Sequence, residues 1–233
     1  MPRKKLDFQM ETIKGDILEM TDLVAEQARD AMIALSRLDE KMALDIIERD
    51  QKANALYMEI KERCIQTIAL QQPVAKDLRF ISVSMDVASN LERIGDYAVD
   101  IAKNVGYILQ ESPEISTEFN KEVLKLIDGE GNGKNLMMEM SGLGVDMVKK
   151  AGHAFIHEDP ESVNDVLKSE DLVDEHFRKI FRRLEQISRT DREGISFALN
   201  LVLTIRYLER IADHSVNITK RTVYAMKGKE EFI

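Results

Sequence analysis

The sequence contains an internal duplication, and no other feature constrains the fold as much. A shift of 120 residues places Asp39 on Asp159, together with several apolar positions. Farther along the chain, a shift of 117 residues superposes Leu91-Glu-Arg-Ile-Gly-Asp96 on Leu208-Glu-Arg-Ile-Ala-Asp213. Identical residues in the same order are more specific than scattered apolar matches, so the chain consists of two copies of one unit.

Each copy is predicted to fold into three helices. Only 4 Pro and 11 Gly interrupt the 233 residues, which are rich in Leu, Met, Ala, Glu and Lys, a composition that favours helices. In copy one the predicted helices span about 8–37, 40–70 and 75–110, the third following Pro73. No segment shows the alternation of a strand.

Loops are predicted where helix-breaking residues cluster. These segments are 111–117, 128–133, 159–160 and 188–194. Long helices joined by short turns pack as antiparallel neighbours. The predicted fold is therefore all-α, two tandem three-helix bundles, with residues 1–115 as the first repeat and residues 116–233 as the second.

Charge and hydropathy argue against several classes of protein. The net charge of −9 argues against nucleic acid as a partner, because such binding rests on Lys and Arg contacts to phosphates. No stretch approaches the roughly 18–20 apolar residues that cross a bilayer. The basic N-terminus is followed by Asp7 and Glu11 rather than an apolar core, so no signal peptide is predicted. Cys64 is the only cysteine, which excludes an intrachain disulfide and suits a reducing cytosol.

Acidic residues lie opposite the apolar stripe on the third helix of each copy. In copy one that stripe begins with Leu91 and Ile94 and continues at spacings of three and four, which is typical of a packed helix face. At about 100° per residue, Glu92, Asp96 and Asp100 fall roughly 150–230° from the stripe. Copy two repeats this pattern with Glu209, Asp213 and Asn217.

Such a row is often no more than a solvated helix face. However, carboxylates four residues apart repel each other by about 0.2–0.5 kcal/mol per pair, and no Lys or Arg stands at the i+4 positions to relieve this repulsion. A hard or borderline cation would convert the repulsion into coordination. Oxygen ligands suit Mg, Mn and Fe and, less selectively, Zn.

Two or three carboxylates on one helix cannot complete a coordination sphere, so a second helix must contribute. Asp50 and Asn54 in copy one, and Glu170 and Asp174 in copy two, have the same spacing of four residues. Because Asn54 and Asn217 bring no charge, the two sites are expected to differ in affinity. The predicted metal ligands are Asp50, Glu92, Asp96, Asp100, Glu170, Asp174, Glu209, Asp213 and Asn217.

The histidines are weaker candidates. His153 and His157 are four residues apart on one helix and could hold a metal. Copy one has Ile33 and Arg37 at the matching places, so this pair is not part of the repeated design. His214 is expected to pack on the surface. The chain has no Gly-rich phosphate loop and no Glu-x-x-His pair like that of the di-iron carboxylate enzymes.

Three segments together resemble the PhoU family of phosphate-transport accessory proteins. They are Gln71-Gln-Pro-Val-Ala-Lys-Asp-Leu-Arg79 and the two Leu-Glu-Arg-Ile segments described above. The resemblance covers essentially the whole chain. It implies a fold of two three-helix bundles. It also implies iron or zinc clusters on the bundle surface, held by Glu/Asp-x-x-x-Asp motifs, with Mg, Mn or Ni as further possible metals. The matching positions are Glu92, Asp96, Asp100, Glu209 and Asp213, with Asp50 and Glu170 as partners.

The same resemblance implies a cytoplasmic negative regulator of phosphate uptake and phosphate-starvation signalling. The implied partners are a phosphate ABC transporter and a sensor histidine kinase. The resemblance also implies that the protein is a homodimer and that it reaches the membrane only through these partners. No enzymatic activity is expected. Two alternatives stay open: a metalloenzyme with a multinuclear centre that hydrolyses phosphoesters, and a helical bundle that binds no metal.

Overall fold

The structure, a computed structural model, describes residues 2–111, 135–188 and 195–229. Within these ranges it contains helices and no strand, which confirms the all-α prediction. The first helix begins at Pro2 rather than near residue 8. The predicted loops at 111–117, 128–133 and 188–194, and the boundary between 115 and 116, fall wholly or mostly outside the described residues. The described ranges contain six helices: α1 (Pro2–Arg37), α2 (Glu40–Gln71), α3 (Ala75–Glu111), α4 (Leu136–His157), α5 (Pro160–Ser188) and α6 (Ile195–Lys227).

The turn between the first and second helices has the same construction in both copies. Leu38 and Glu158 both adopt left-handed backbone conformations, with φ of 48° and 53°. Asp39 then accepts a hydrogen bond from the Met42 N–H at 3.0 Å, and Asp159 accepts one from the Glu161 N–H at 2.9 Å. A side chain that caps the first N–H groups stabilises the start of a helix, so the duplicated aspartates fix where α2 and α5 begin.

The two bundles pack against each other through equivalent helices. Helices α1, α2 and α3 pack together, as do α4, α5 and α6, and the bundles meet where α1 contacts α4 and α3 contacts α6. Each of these contacts joins a helix to its own counterpart in the other copy. The main cluster of buried apolar residues extends through both bundles, so one continuous core stabilises the two repeats together.

Helices α3 and α6 pack antiparallel, and their contacts follow the internal repeat. His214 Nδ1 lies 2.8 Å from Asn90 Oδ1, and the rings of Tyr97 and Tyr207 stack with centroids 5.9 Å apart. Under the 117-residue shift, Asn90 corresponds to Tyr207 and Tyr97 to His214. The two contacts are therefore equivalent, as a pseudo-twofold relation between the copies requires. No helix in the described ranges is long and apolar enough to span a membrane.

Candidate metal centre

In copy one, carboxylates from two helices share the groove between α2 and α3. Asp50 lies on α2, and Glu92 and Asp96 lie one turn apart on α3. Burial, followed by the negative charge of Asp96, raises the pKa of Asp50. The same two causes raise the pKa of Glu92. The three acids therefore lie within electrostatic range of one another; that they hold a metal stays a prediction.

The copy-one carboxylates also have polar partners, and Arg93 is shared by Glu92 and Asp96. Asn54 donates a hydrogen bond from Nδ2 to Asp50 Oδ2 at 2.8 Å, and Arg93 Nη1 lies 3.3 Å from Asp96 Oδ2. Among the residues that the structure describes, no three His, Cys, Asp or Glu side chains are already gathered as ligands of one ion. Coordination by these acids therefore requires their side chains to change rotamer.

Asp100 lies apart from the other predicted ligands of copy one. Its Oδ1 is 3.0 Å from Lys103 Nζ, and its charge is the main cause, after burial, of the raised pKa of Tyr207 on α6. One turn beyond Asp96, the helix has rotated this position away from α2 and toward α6. The structure does not bring Asp100 together with Asp50.

The acidic row of α3 is half-buried rather than a fully solvated outer face. The exposed fraction of the side chain is 21% for Glu92, 39% for Asp96 and 36% for Asp100. A single apolar stripe predicts one packed face, whereas α3 packs against three helices, α1, α2 and α6. Only a narrow strip of α3 stays exposed to solvent, and the acidic row begins at the edge of this strip beside α2.

Basic residues three positions away relieve the repulsion within both rows, contrary to the argument from the i+4 positions. Arg93 pairs with Asp96 and Lys103 with Asp100 on α3. On α6, Arg206 pairs with Glu209, and Arg210 Nη1 lies 3.8 Å from Asp213 Oδ2. Residues at i and i+3 are also neighbours on a helix surface, so repulsion alone does not argue for a bound cation.

A buried amide, which the sequence analysis missed, lies beside the copy-one acids. Gln27 of α1 is fully buried, and its amide makes no well-formed hydrogen bond with a described residue, but it lies close enough to Asp50 to lower the pKa of that carboxyl, against the stronger effect of burial. Buried amides normally have partners. A Cβ atom at Gly95 would lie 3.6 Å from Gln27 Oε1 and 3.2 Å from Asp50 Oδ1, so the two side chains meet over this glycine.

A signal for Gln27 was present in the repeat. It occupies a core position of α1 at which copy two has Met147. A polar residue that replaces an apolar one in the core lowers the stability of the fold unless it forms a hydrogen bond. Comparison of the two copies for such replacements would have found it.

In copy two, the equivalent groove lies between α5 and α6. Burial raises the pKa of Glu170, Asp213 and Asp174 raise it further, and the charge of Lys220 opposes them. Glu209 and Asp213 are half-buried, whereas Asn217 is exposed. Copy two thus brings Asp174 and Asp213 into electrostatic range of Glu170.

The chemistry of these donors fits a hard or borderline cation. Both grooves present carboxylate oxygens, and copy one adds the buried Gln27 amide beside Asp50. Oxygen-rich sets of this kind suit Mg, Mn and Fe, and Zn less selectively. His214, by contrast, is engaged with Asn90, and burial is the main cause of its lowered pKa. This agrees with a packing role.

The fold and these grooves define a class of protein: an all-helical chain of two repeated three-helix bundles with an acidic row on the third helix of each. The family model for the PhoU domain matches residues 17–105 and 137–222, one segment in each copy. The chain therefore belongs to the PhoU domain family.

Curated relatives and solved structures agree with this assignment. The chain is 31% identical over 231 residues to the phosphate-specific transport system accessory protein PhoU homolog of Clostridium acetobutylicum, with 99% of this chain and 98% of that protein covered. It is 30% identical to PhoU homolog 1 of Thermotoga maritima, covering 97% and 91%. The crystal structure of PhoU from Pseudomonas aeruginosa superposes with a TM-score of 0.82 at 29% identity, covering 96% and 99%.

Proposed function

We propose that this protein is an accessory regulator of phosphate transport and not an enzyme. One observation carries the proposal: both copies match the PhoU domain, in a chain similar over nearly its full length to proteins named phosphate-specific transport system accessory proteins. It acts in the cytoplasm as a negative regulator of phosphate uptake and phosphate-starvation signalling. It does so as a homodimer that contacts a phosphate ABC transporter and a sensor histidine kinase, and it reaches the membrane only through them.

The metal sites belong to the same proposal. The α2–α3 and α5–α6 grooves bind metal ions, iron or zinc as the first candidates and Mg, Mn or Ni as others. A bound ion would supply positive charge between the two helices and so organise a surface that a partner contacts. The half-buried carboxylates from two helices and the buried Gln27 amide beside Asp50 support it. The ligands in this proposal are Asp50, Glu92 and Asp96 in copy one, and Glu170, Asp174, Glu209 and Asp213 in copy two, with Asp100 and Asn217 as outer positions.

The metal sites can be tested by measuring metal content together with binding isotherms. The wild-type chain is expected to take up Mn²⁺ at two sites of different affinity, because Asn54 stands where copy two has Asp174. Asp96→Asn should weaken one site and Asp213→Asn the other. The matched control is Asp22→Asn, an exposed carboxylate on α1 with the same change of charge. Equal binding by all four proteins would contradict the metal proposal.

A metalloenzyme is the second candidate, and the raised pKa values of Asp50, Glu92 and Glu170 favour it, because perturbed carboxyls cluster at active sites. Against it, catalysis usually needs a pocket that excludes water, and both grooves are partly open. Turnover of phosphate esters by the metal-loaded chain, lost in Asp96→Asn and Asp213→Asn, would replace the accessory role by the enzymatic one.

The partner proposal needs an experiment of its own. The tagged chain is purified from detergent-solubilised membranes of cells grown at high and at low phosphate, and the captured proteins are identified. We expect a phosphate ABC transporter subunit and a sensor histidine kinase in at least one condition. Their absence from both would contradict the regulatory role whatever the metal content is.

A further inference from the structure

Two of the four histidines have hydrogen-bond partners among the residues that the structure describes, and two have none there. His176 Nε2 lies 3.2 Å from a glutamate oxygen of α4, and His214 is bonded to an asparagine of α3. His153 and His157 make no hydrogen bond or ion pair with the described part of the chain. Their ring nitrogens are therefore available to an external ligand.

The two free histidines have the geometry of a chelating pair. They lie one turn apart on an exposed strip of α4. Their rings stack, with centroids 5.9 Å apart and an angle of 18° between the ring planes. Two histidines spaced i, i+4 on one helix face are the arrangement with which helices ligate zinc. Little rearrangement beyond side-chain rotation is needed for both rings to reach one ion.

The position of this pair also favours a cation. His157 is the last residue of α4, where unpaired carbonyl groups give the helix end a partial negative charge. The acidic residues Glu158 and Asp159 follow directly, and the charges of Asp159 and His157 interact. Glu158 is paired with Lys76, whose Nζ lies 2.8 Å from Glu158 Oε1, so it is the helix end and Asp159 that favour a positive ion held by the two rings.

We propose that His153 and His157 form a bidentate site for one borderline divalent transition ion, Cu²⁺, Ni²⁺ or Zn²⁺, separate from the carboxylate grooves. Imidazole nitrogen suits these three ions, and Cu²⁺ binds such sites most tightly, whereas Mg²⁺ prefers oxygen. Water completes the coordination. The site exists only in copy two, because Ile33 and Arg37 occupy the equivalent positions of copy one. It gives the chain a nitrogen site alongside its oxygen-rich grooves.

The test is calorimetric titration of the untagged full-length chain with NiCl₂ in excess Mg²⁺, which competes for the oxygen sites. We expect a Ni²⁺ site whose Kd rises about tenfold or more in His153→Gln and in His157→Gln. His176→Gln, which removes a histidine engaged elsewhere, and Asp22→Asn, which removes an exposed carboxylate of α1, should bind as the wild type does. Both pair positions are exposed, so the variants should keep wild-type helical ellipticity.

A spectroscopic readout identifies the donor atoms. With one equivalent of Cu²⁺, paramagnetic resonance should show coupling to two imidazole nitrogens in the wild type and to one in His157→Gln. Unchanged Ni²⁺ affinity in both pair variants, or an equal loss in His176→Gln, would overturn the proposal.

Discussion

The backbone of α4 at Gly152 lies directly against the side chain of Thr21 on α1. A Cβ atom at position 152 would lie 2.5 Å from Thr21 Cγ2 and 2.9 Å from Thr21 Cβ. Thr21 is fully buried, and its hydroxyl donates to the Ile17 carbonyl at 2.8 Å, which holds the side chain in place. Since α1 and α4 belong to different copies, this glycine determines how closely the two bundles approach.

Gly152→Ala should therefore destabilise the protein, by about 1–3 kcal/mol for a clash in a packed core. Gly142 is the matched control on the same helix, because a Cβ there would meet nothing within 4 Å. Gly142→Ala should be neutral or stabilising by up to about 1 kcal/mol, since Ala is the better helix former. Urea denaturation followed by helical ellipticity measures both, and equal shifts in the two variants would contradict the close contact.

The duplicated segments made the helices predictable, but not how the two bundles pack. Asp39 and Asp159 cap the helices that follow them, and the predicted ends near residues 37 and 70 lie within one residue of Arg37 and Gln71. The contact of Gly152 with Thr21 was not predictable, because a glycine in a helix shows no sequence sign of the partner it meets. Packing between copies depends on three-dimensional fit that periodicity does not encode.

The candidate site was predictable in its residue types and only partly in its arrangement. Spacing placed Glu92 and Asp96 on one strip and pointed to Asp50 on the preceding helix. Each step of four residues in the row moves the side chain about 40° around the helix. At Asp100 the row has therefore turned toward α6, which the spacing alone did not show. Gln27 was missed because it lies on α1, far away in the sequence.

A buried hydrogen bond between the two copies should couple two positions energetically. Asn104 of α3 is nearly fully buried, and its Nδ2 donates to Thr204 Oγ1 of α6 at 3.1 Å and to the Asn200 carbonyl at 3.2 Å. In a double-mutant cycle of Asn104→Ala and Thr204→Val, we expect a coupling free energy of about 0.5–1.5 kcal/mol in unfolding. Asn104→Ala combined with Thr67→Val, a buried threonine of α2, should be additive. A coupling of zero in the first cycle would argue against this bond.

The only cysteine should be nearly inert in the native protein. Burial raises the pKa of the Cys64 thiol to about 12, and the nearby charge of Asp16 adds to this. The thiolate is the reactive form, and a rise of the thiol pKa from 9.0 to about 12 reduces the thiolate fraction about a thousandfold near pH 8. Alkylation should be at least that much slower in buffer than in concentrated urea. Rapid labelling without denaturant would contradict the burial.

The same shift predicts that Cys64 lowers stability at high pH. Above about pH 9 the unfolded chain releases the thiol proton, whereas the folded chain keeps it until the pH approaches about 12. The unfolded state then binds fewer protons, so the free energy of unfolding falls as the pH rises through this window. Cys64→Ala should show a shallower decline between pH 9 and 11 than the wild type. Parallel profiles would contradict the prediction.

Removal of Lys103 should strengthen cation binding in copy one, if the α2–α3 groove holds a metal as proposed. Lys103 Nζ lies 3.0 Å from Asp100 Oδ1, and its charge also acts on Asp50 and Asp96. A bound cation must overcome this positive charge. Because the lysine is partly exposed and screened by solvent, Lys103→Ala should lower the Kd for Mn²⁺ only about two- to fivefold.

The control is Lys52→Ala, which makes the same change of charge on α2, where Lys52 pairs with the exposed Glu19 at 2.9 Å. Both variants are titrated with Mn²⁺ in a Glu170→Gln, Asp213→Asn background, so that only the copy-one groove contributes heat. An affinity gain of the same size in both variants would mean that the effect comes from the change of net charge alone. A gain confined to Lys103→Ala would assign the ion to the groove that Asp50 and Asp96 share.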